Sequence, residues 1–305
     1  MTIMQGIDRK SRFIGCLVGL AVGDALGAPV EFMERGTFEP VTGMRDGGPH
    51  QLLAGQWTDD TSMALCLADS LIENGFDPAD QMRRYWRWYT EGHNSVNGKC
   101  FDIGIGTREA LIKWNETGDP FSGSTDPRSA GNGALMRLAP IAMLYADDPP
   151  EALKRAAIMT RTTHGAAETI DCSQIMAAHL CASFAAGNGG GAPLYPPEYS
   201  TQKTKDIVLG TYLDKTDDQL RGSGYCVESL EAALWCVETT STFKEAVLKA
   251  VNLGDDADTT GAICGQLAGA RHGIENIPKK WIKQLALSDA IIERAVKFFT
   301  RSGTK

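Results

Sequence analysis

Apolar positions recur every three or four residues along most of this chain, and the period-two alternation of a half-buried strand is scarce. The spacing predicts helices over 58–74, 78–91, 103–115, 150–162, 166–186, 225–239, 242–252, 259–272 and 287–300. The pattern breaks at polar stretches rich in glycine and proline: "DGGPHQLLAGQ" after Arg45, "TGDPFSGSTDPRSAGNG" after Glu116 and "GNGGGAPLYPPEYSTQ" after Ala186. No repeat of fixed period is visible. The chain therefore reads as one all-α domain over 1–305, with loops near 45–56, 116–133 and 187–224.

Two helical segments have an unusual texture. Glycine recurs at 15, 19, 23 and 27 in "GCLVGLAVGDALG", and again at 261, 265, 269 and 273 in "GAICGQLAGARHG". A four-residue spacing puts each set on one helix face. Glycine inside a helix costs roughly 1 kcal/mol relative to alanine, so eight of them need compensation. Close approach of two helix backbones is the physical candidate. Each stripe lies beside acids, Asp24 and Glu31 in one case, Asp256 and Asp258 in the other. Packing the stripes together would bring those acids into one pocket; tight packing alone, without chemistry, is the plainer reading.

Polar residues crowd at two helix starts. "WTDDTSMALCLADSL" from Trp57 offers Thr58, Asp59, Asp60 and Thr61, and "GDDADTTGA" from Gly254 offers Asp255, Asp256, Asp258 and Thr259. Helix capping accounts for one oxygen at each start. It leaves several carboxylates with no lysine or arginine among them, and like charges this close raise one another's pKa. A hard divalent cation such as Mg²⁺ or Mn²⁺ removes the conflict, because it takes carboxylate and hydroxyl oxygens. Four carboxylates and two hydroxyls suffice for two ions sharing a carboxylate. An EF-hand is excluded because Leu267 stands where the loop needs a bidentate glutamate. The DxDxT pattern of aspartyl-phosphate phosphatases lacks the preceding strand and the following domain.

Composition narrows the class further. With 43% hydrophobic residues, 22% charged residues and a net charge of −8, the chain is globular and unsuited to general nucleic-acid binding. The apolar run "FIGCLVGLAVG" from Phe13 is about half the length a bilayer span needs, so no membrane span is expected. Eight cysteines form no CxxC pair, and Cys66, Cys236 and Cys264 fall among apolar residues. Reduced thiols, a cytoplasmic location and a monomer are the expectations.

Taken together, "GLAVGDALGAPVEF", "WTDDT", "GNGALMRLAP", "TTHG" and "GDDADTTGA" resemble the ADP-ribosylglycohydrolases over nearly the whole chain, and notably the enzyme that reactivates dinitrogenase reductase. The resemblance implies an orthogonal all-α bundle with a binuclear magnesium or manganese site in a cleft. Matched residue by residue, it implies Thr58, Asp59 and Asp60 on one ion, Asp256 and Thr259 on the other, and Asp258 bridging. It makes Glu31, Asp60 and Asp256 the catalytic carboxylates. Gly98, Ser129, Gly131, Asn132, His164 and Tyr225 become the substrate-binding set, Ser129 to Asn132 facing the phosphates and ribose. Asp255 stands where many relatives have glycine and is left out. One departure matters: Ser95 stands where the reactivating enzyme has an aspartate, so Asp102 either replaces it or caps the next helix.

The implied activity is metal-dependent hydrolysis of the bond between ADP-ribose and a modified side chain, arginine in first place. The partner is then an ADP-ribosylated protein or a small ADP-ribosyl compound. Hydrolysis of a serine, O-acyl or nucleobase linkage remains open, as does a catalytically silent ADP-ribose-binding protein.

Overall fold

The computed structural model describes residues 7–186, 192–196 and 198–302. The glycine-rich stretch 187–191 and Pro197, within the expected loop 187–224, lie outside the described residues. Thirteen α-helices form among the described residues. They are α1 Arg9–Gly27, α2 Asp59–Asn74, α3 Pro78–Glu91, α4 Ile105–Thr117, α5 Ala139–Leu144, α6 Pro149–Thr160, α7 Ala167–Ala185, α8 Gln202–Leu209, α9 Cys226–Glu238, α10 Phe243–Val251, α11 Ala257–His272, α12 Lys279–Gln284 and α13 Ser288–Ser302. No strand is found among these residues, only isolated pairings such as Ser124 with His164 and Gly131 with Tyr225. The fold is all-α.

Local chemistry sets the helix ends. The side chains of Asp8, Asp77, Asp148 and Thr242 accept from backbone N–H groups in the first turns of α1, α3, α6 and α10, and proline follows Asp77 and Asp148. Gly92 and Gly118 end α3 and α4 in the left-handed conformation. The differences from the sequence reading are short elements. Helices α5 and α12 span six residues each, too few to display a period, and α8 interrupts the stretch read as loop because glycine and proline precede it.

Helices α1 and α11 occupy the centre, buried at nearly every position, as helices apolar on all sides must be. They run antiparallel with the two glycine stripes face to face. A Cβ on Gly15, Gly19 or Gly23 would fall closer than 3.0 Å to the carbonyl of Gly269, Gly265 or Gly261 respectively, and the reverse holds for each partner. No side chain larger than hydrogen fits this seam. The segment Arg9–Val30 is long and apolar enough to cross a membrane, yet 94% of it is buried inside the fold, covered by protein. Around the pair, Phe13 of α1 packs on Phe184 of α7 and Phe299 of α13, with ring centroids 4.5 and 5.8 Å apart.

The antiparallel arrangement carries a consequence for chemistry. The C-terminal end of α1, with Asp24, and Glu31 just beyond it, lie beside the N-terminal end of α11, with Asp256 and Asp258. The start of α2 arrives at the same place, because Asp24 binds its first turn.

Candidate metal centre and cleft

Asp24 organises the site, and the sequence reading noted it only as a neighbour of the stripe. It is fully buried at the last turn of α1. One oxygen accepts from the Thr58 N–H at 2.8 Å and the Thr58 hydroxyl at 3.0 Å; the other accepts from the Thr61 N–H at 3.0 Å and the Thr61 hydroxyl at 2.6 Å. Asp24 thus caps α2 from another helix. Neither Thr58 nor Asp256 caps its own helix through its side chain. Capping does not explain the acidic helix starts.

Beneath the cleft floor the Thr58 hydroxyl also lies 2.8 Å from Asp60 Oδ2 and 3.1 Å from Asp258 Oδ2. A hydroxyl has one proton, so it cannot serve three carboxylates at once. The other oxygens of Asp60 and Asp258, Oδ1 in each, are buried with no hydrogen-bond partner among the described residues. Burial, then mutual repulsion, raises Asp60 and Asp258 well above the usual carboxylate range, and burial lifts Asp24 to about 6 against its four hydrogen bonds. Two groups of ligand atoms, each within 4.8 Å of one another, come from Asp24, Asp60 and Asp258 and from Glu31, Asp256 and Asp258. Asp258 belongs to both. Among the described residues no lysine or arginine forms a salt bridge with these acids, and a metal cation would bring the positive charge they lack.

Above them opens a cleft of about 730 Å³, a size suited to a nucleotide-sized ligand. Glu31, Asp59, Asp102, Asp256, Asp258 and Thr259 line its acidic end. Gly131, Asn132, Gly133, His164 and Gly224 line another wall. The loop of Gly131 is tied to the start of α9 by two backbone bonds, Asn132 N–H to Gly224 O at 3.1 Å and Cys226 N–H to Ala130 O at 3.0 Å. Asn132 reaches across and donates to Asp256 at 2.7 Å, which links this wall to the acids. Burial raises Asp256, and this hydrogen bond opposes the rise.

His50 was missed. It lies in the loop after Arg45, where no periodicity marks it, and its Nε2 stands 3.2 Å from Glu31 and 3.0 Å from Asp102. Hydrogen bonds to Asp102 and Glu31 raise its pKa to about 10. Burial raises Glu31 to about 7, with His50 pulling the other way. Among the described residues His50 is the cationic side chain paired with this acidic set.

Asp102, not Ser95, faces the cleft. Ser95 bonds to Asn97 outside it. Asp102 has a left-handed φ of 59° and does not cap α4, whose N-cap is Gly104. Asp255 shows why glycine would be at home there: its φ is 55°, and its backbone pairs with Phe32 and Met33, fastening the Glu31 loop to the start of α11.

Three expected substrate residues do not line the cleft. The Ser129 hydroxyl donates to Asp126 O at 2.6 Å, turned back into its own loop. Tyr225 pairs with Gly131 through its backbone, but its hydroxyl points away to Glu168 and Lys203. Gly98 sits on a turn with positive φ, its carbonyl against Gly92. Asp59 lines the cleft, raised by burial and by Asp102, but falls in neither group that shares Asp258.

The family model described as ADP-ribosylglycohydrolase matches residues 5–305. The chain is 42% identical over 305 residues to the ADP-ribosylarginine hydrolase Tri1 of Pseudomonas putida (strain GB-1), across 99% of this chain and 81% of that one. It is 32% identical to the ADP-ribosyl-[dinitrogen reductase] glycohydrolase of Rhodospirillum rubrum, across 96% of each. A solved structure titled "ADP-ribosylglycohydrolase-related protein complex" superposes with a TM-score of 0.83 at 41% identity, covering 97% of this chain and 99% of that one.

Proposed function

This chain belongs to the ADP-ribosylglycohydrolase family and is an enzyme of that kind, and from that premise we propose that it hydrolyses the N-glycosidic bond of ADP-ribosyl-arginine. The arginine acceptor is supported by the names of the relatives and by the acid-lined end of the cleft. A cationic guanidinium is attracted there, where Asp102 lies with one carboxylate oxygen buried and unpartnered.

The observation that carries the reading is the shared position of Asp258, with unpartnered oxygens on it and on Asp60. Two hard divalent cations, magnesium or manganese, fit this donor set. Thr58, Asp60 and Asp258, with Asp59 beside them, would hold one; Asp256, Thr259 and Asp258 would hold the other. Asp24 accepts from the Thr58 and Thr61 N–H groups and the Thr61 hydroxyl, and serves to position α2 rather than to ligate. When bound, the cations supply Lewis acidity toward the ribose hydroxyls and offset the clustered negative charge.

The chain's own residues perform the rest. Asn132 and the Gly131 loop hold the nucleotide end. Cleavage builds positive charge at the anomeric carbon, and the carboxylates of Glu31 and Asp59 face the cleft where that charge develops. Glu31, held near 7 by burial, is suited to take a proton from the attacking water. Asp102 orients the departing guanidinium.

The test is a substrate panel on purified protein: peptides ADP-ribosylated on arginine or on serine, with released ADP-ribose as the readout. The arginine peptide should turn over at least about a hundredfold faster, and Asp60→Asn should lower that turnover by about 10³ with the helical spectrum unchanged. Equal rates on serine, or near-native turnover by Asp60→Asn, contradict the reading.

A further inference from the structure

A buried cation lies behind the glycine wall of the cleft. Arg137 is fully buried, and none of its hydrogen-bond partners among the described residues is a carboxylate. Its guanidinium sits 5.0 Å from the ring centroid of Tyr85 and donates to the Tyr85 hydroxyl at 3.2 Å. It also donates to the carbonyl of Gly133 and, at 2.6 Å, to the Thr163 hydroxyl. That hydroxyl stands 2.8 Å from Nδ1 of His164.

The direction of this chain follows from proton bookkeeping. Guanidinium only donates, so the Thr163 oxygen accepts from Arg137. Thr163 is 1% exposed, and the partner left for its own proton is Nδ1 of His164. The opposite arrangement, with Nδ1–H donating to Thr163, strands a buried hydroxyl proton without an acceptor. Nδ1 must then be the bare nitrogen, and the ring's proton resides on Nε2. Nε2 projects among glycines: a Cβ on Gly131 or Gly133 would lie 3.3 or 3.2 Å from it, and one on Gly106 3.9 Å. His164 lines the cleft at that point.

We propose that Arg137 and Thr163 are positioning residues that lock His164 as a neutral Nε2–H donor aimed at an acceptor oxygen of bound ADP-ribose. The proposal rests on the nucleotide-sugar reading of the cleft for the identity of the acceptor, but not for the tautomer. His164 then neither ligates a cation nor acts as a base, because its one lone pair is engaged by Thr163. Burial and the nearby Arg137 charge hold the imidazole down to about 3, which keeps it neutral at physiological pH. The glycines at 106, 131 and 133 gain a second purpose: they leave room for an oxygen-rich ligand to reach that N–H.

The experiment is long-range ¹H–¹⁵N spectroscopy of histidine-labelled protein. The chain has 5 histidines, and His164→Gln identifies the signal in question. The expected result is a bare Nδ1 and a protonated Nε2 at pH 7. Thr163→Val should lose the pure tautomer and weaken ADP-ribose binding about tenfold, while Thr163→Ser restores both. A protonated Nδ1 in the unaltered protein overturns the proposal, and that spectrum decides even if Thr163→Val fails to fold. So does a folded Thr163→Val that keeps both the tautomer and the affinity. Failure of the unaltered protein to bind ADP-ribose, with the Nε2–H tautomer present, overturns the nucleotide-sugar reading and with it the acceptor named here.

Discussion

Helices α1 and α11 meet in two ways along their length. In the middle, from Gly15 against Gly269 to Gly23 against Gly261, backbone touches backbone and nothing polar intrudes beyond the peptide groups. Around the last turn of α1, carboxylates take over: Asp24 from one helix, Asp256 and Asp258 from the start of the other. The seam is stabilising and chemically silent; the acidic end is costly and chemically able. The comparison teaches that the first makes the second possible. Side chains at a helix contact hold the axes apart, and with only hydrogen at the seam the two backbones touch, so acids far apart in sequence come within a few ångströms. The N-terminal ends of α2 and α11 contribute positive dipole to the same place, which offsets part of the repulsion.

This contrast can be broken from either side. The largest effect should come from the seam. Gly23→Val puts into the seam a branched side chain whose Cβ alone falls closer than 3.0 Å to the Gly261 carbonyl, and the strain should exceed about 3 kcal/mol, enough to cost the folded protein. Thermal melts followed by circular dichroism check this; a native-like transition would mean the helices separate freely, and the geometry of the acidic end would not depend on the seam.

A smaller effect, of distinctive sign, belongs to the acidic end. In metal-free protein the folded-state pKa values of Asp24 and Glu31, about 6 and about 7, lie above their ordinary 3.8 and 4.5. The folded state therefore binds more protons than the unfolded one across that window. Stability contributed by these groups is fully present below about pH 4 and is lost as pH rises through about 7. Chelated protein should melt at a lower temperature at pH 8 than at pH 5, and Mg²⁺ should lessen the difference by binding the folded form. Melting temperatures that rise with pH in chelator would contradict the reading of these acids as buried carboxylates that hold their protons in the folded state.

The two regions also differ in how well the amino-acid pattern revealed them. The seam was legible because four-residue glycine spacing is a local signal with one strong physical reading. The acidic helix starts were legible for the same reason, since Asp59, Asp60, Asp256 and Asp258 stand close together in sequence. Asp24 was harder: its role as a cap on α2 exists only once two helices meet. His50 was harder still, a loop residue whose partners Glu31 and Asp102 come from other segments. Resemblance located the loops of Ser129, Tyr225 and Gly98 but could not say which way a hydroxyl turns. Ser129 spends its hydroxyl on Asp126 and Tyr225 on Glu168, and neither preference is written in a motif.

The most direct measurement is calorimetric titration of metal-free protein with Mn²⁺. Two ions should bind per chain, and Asp258→Asn should lose at least one of them and weaken the other, because that carboxylate is common to both ligand sets. A single ion bound by the unaltered protein, or two ions bound as tightly by Asp258→Asn, would contradict the account.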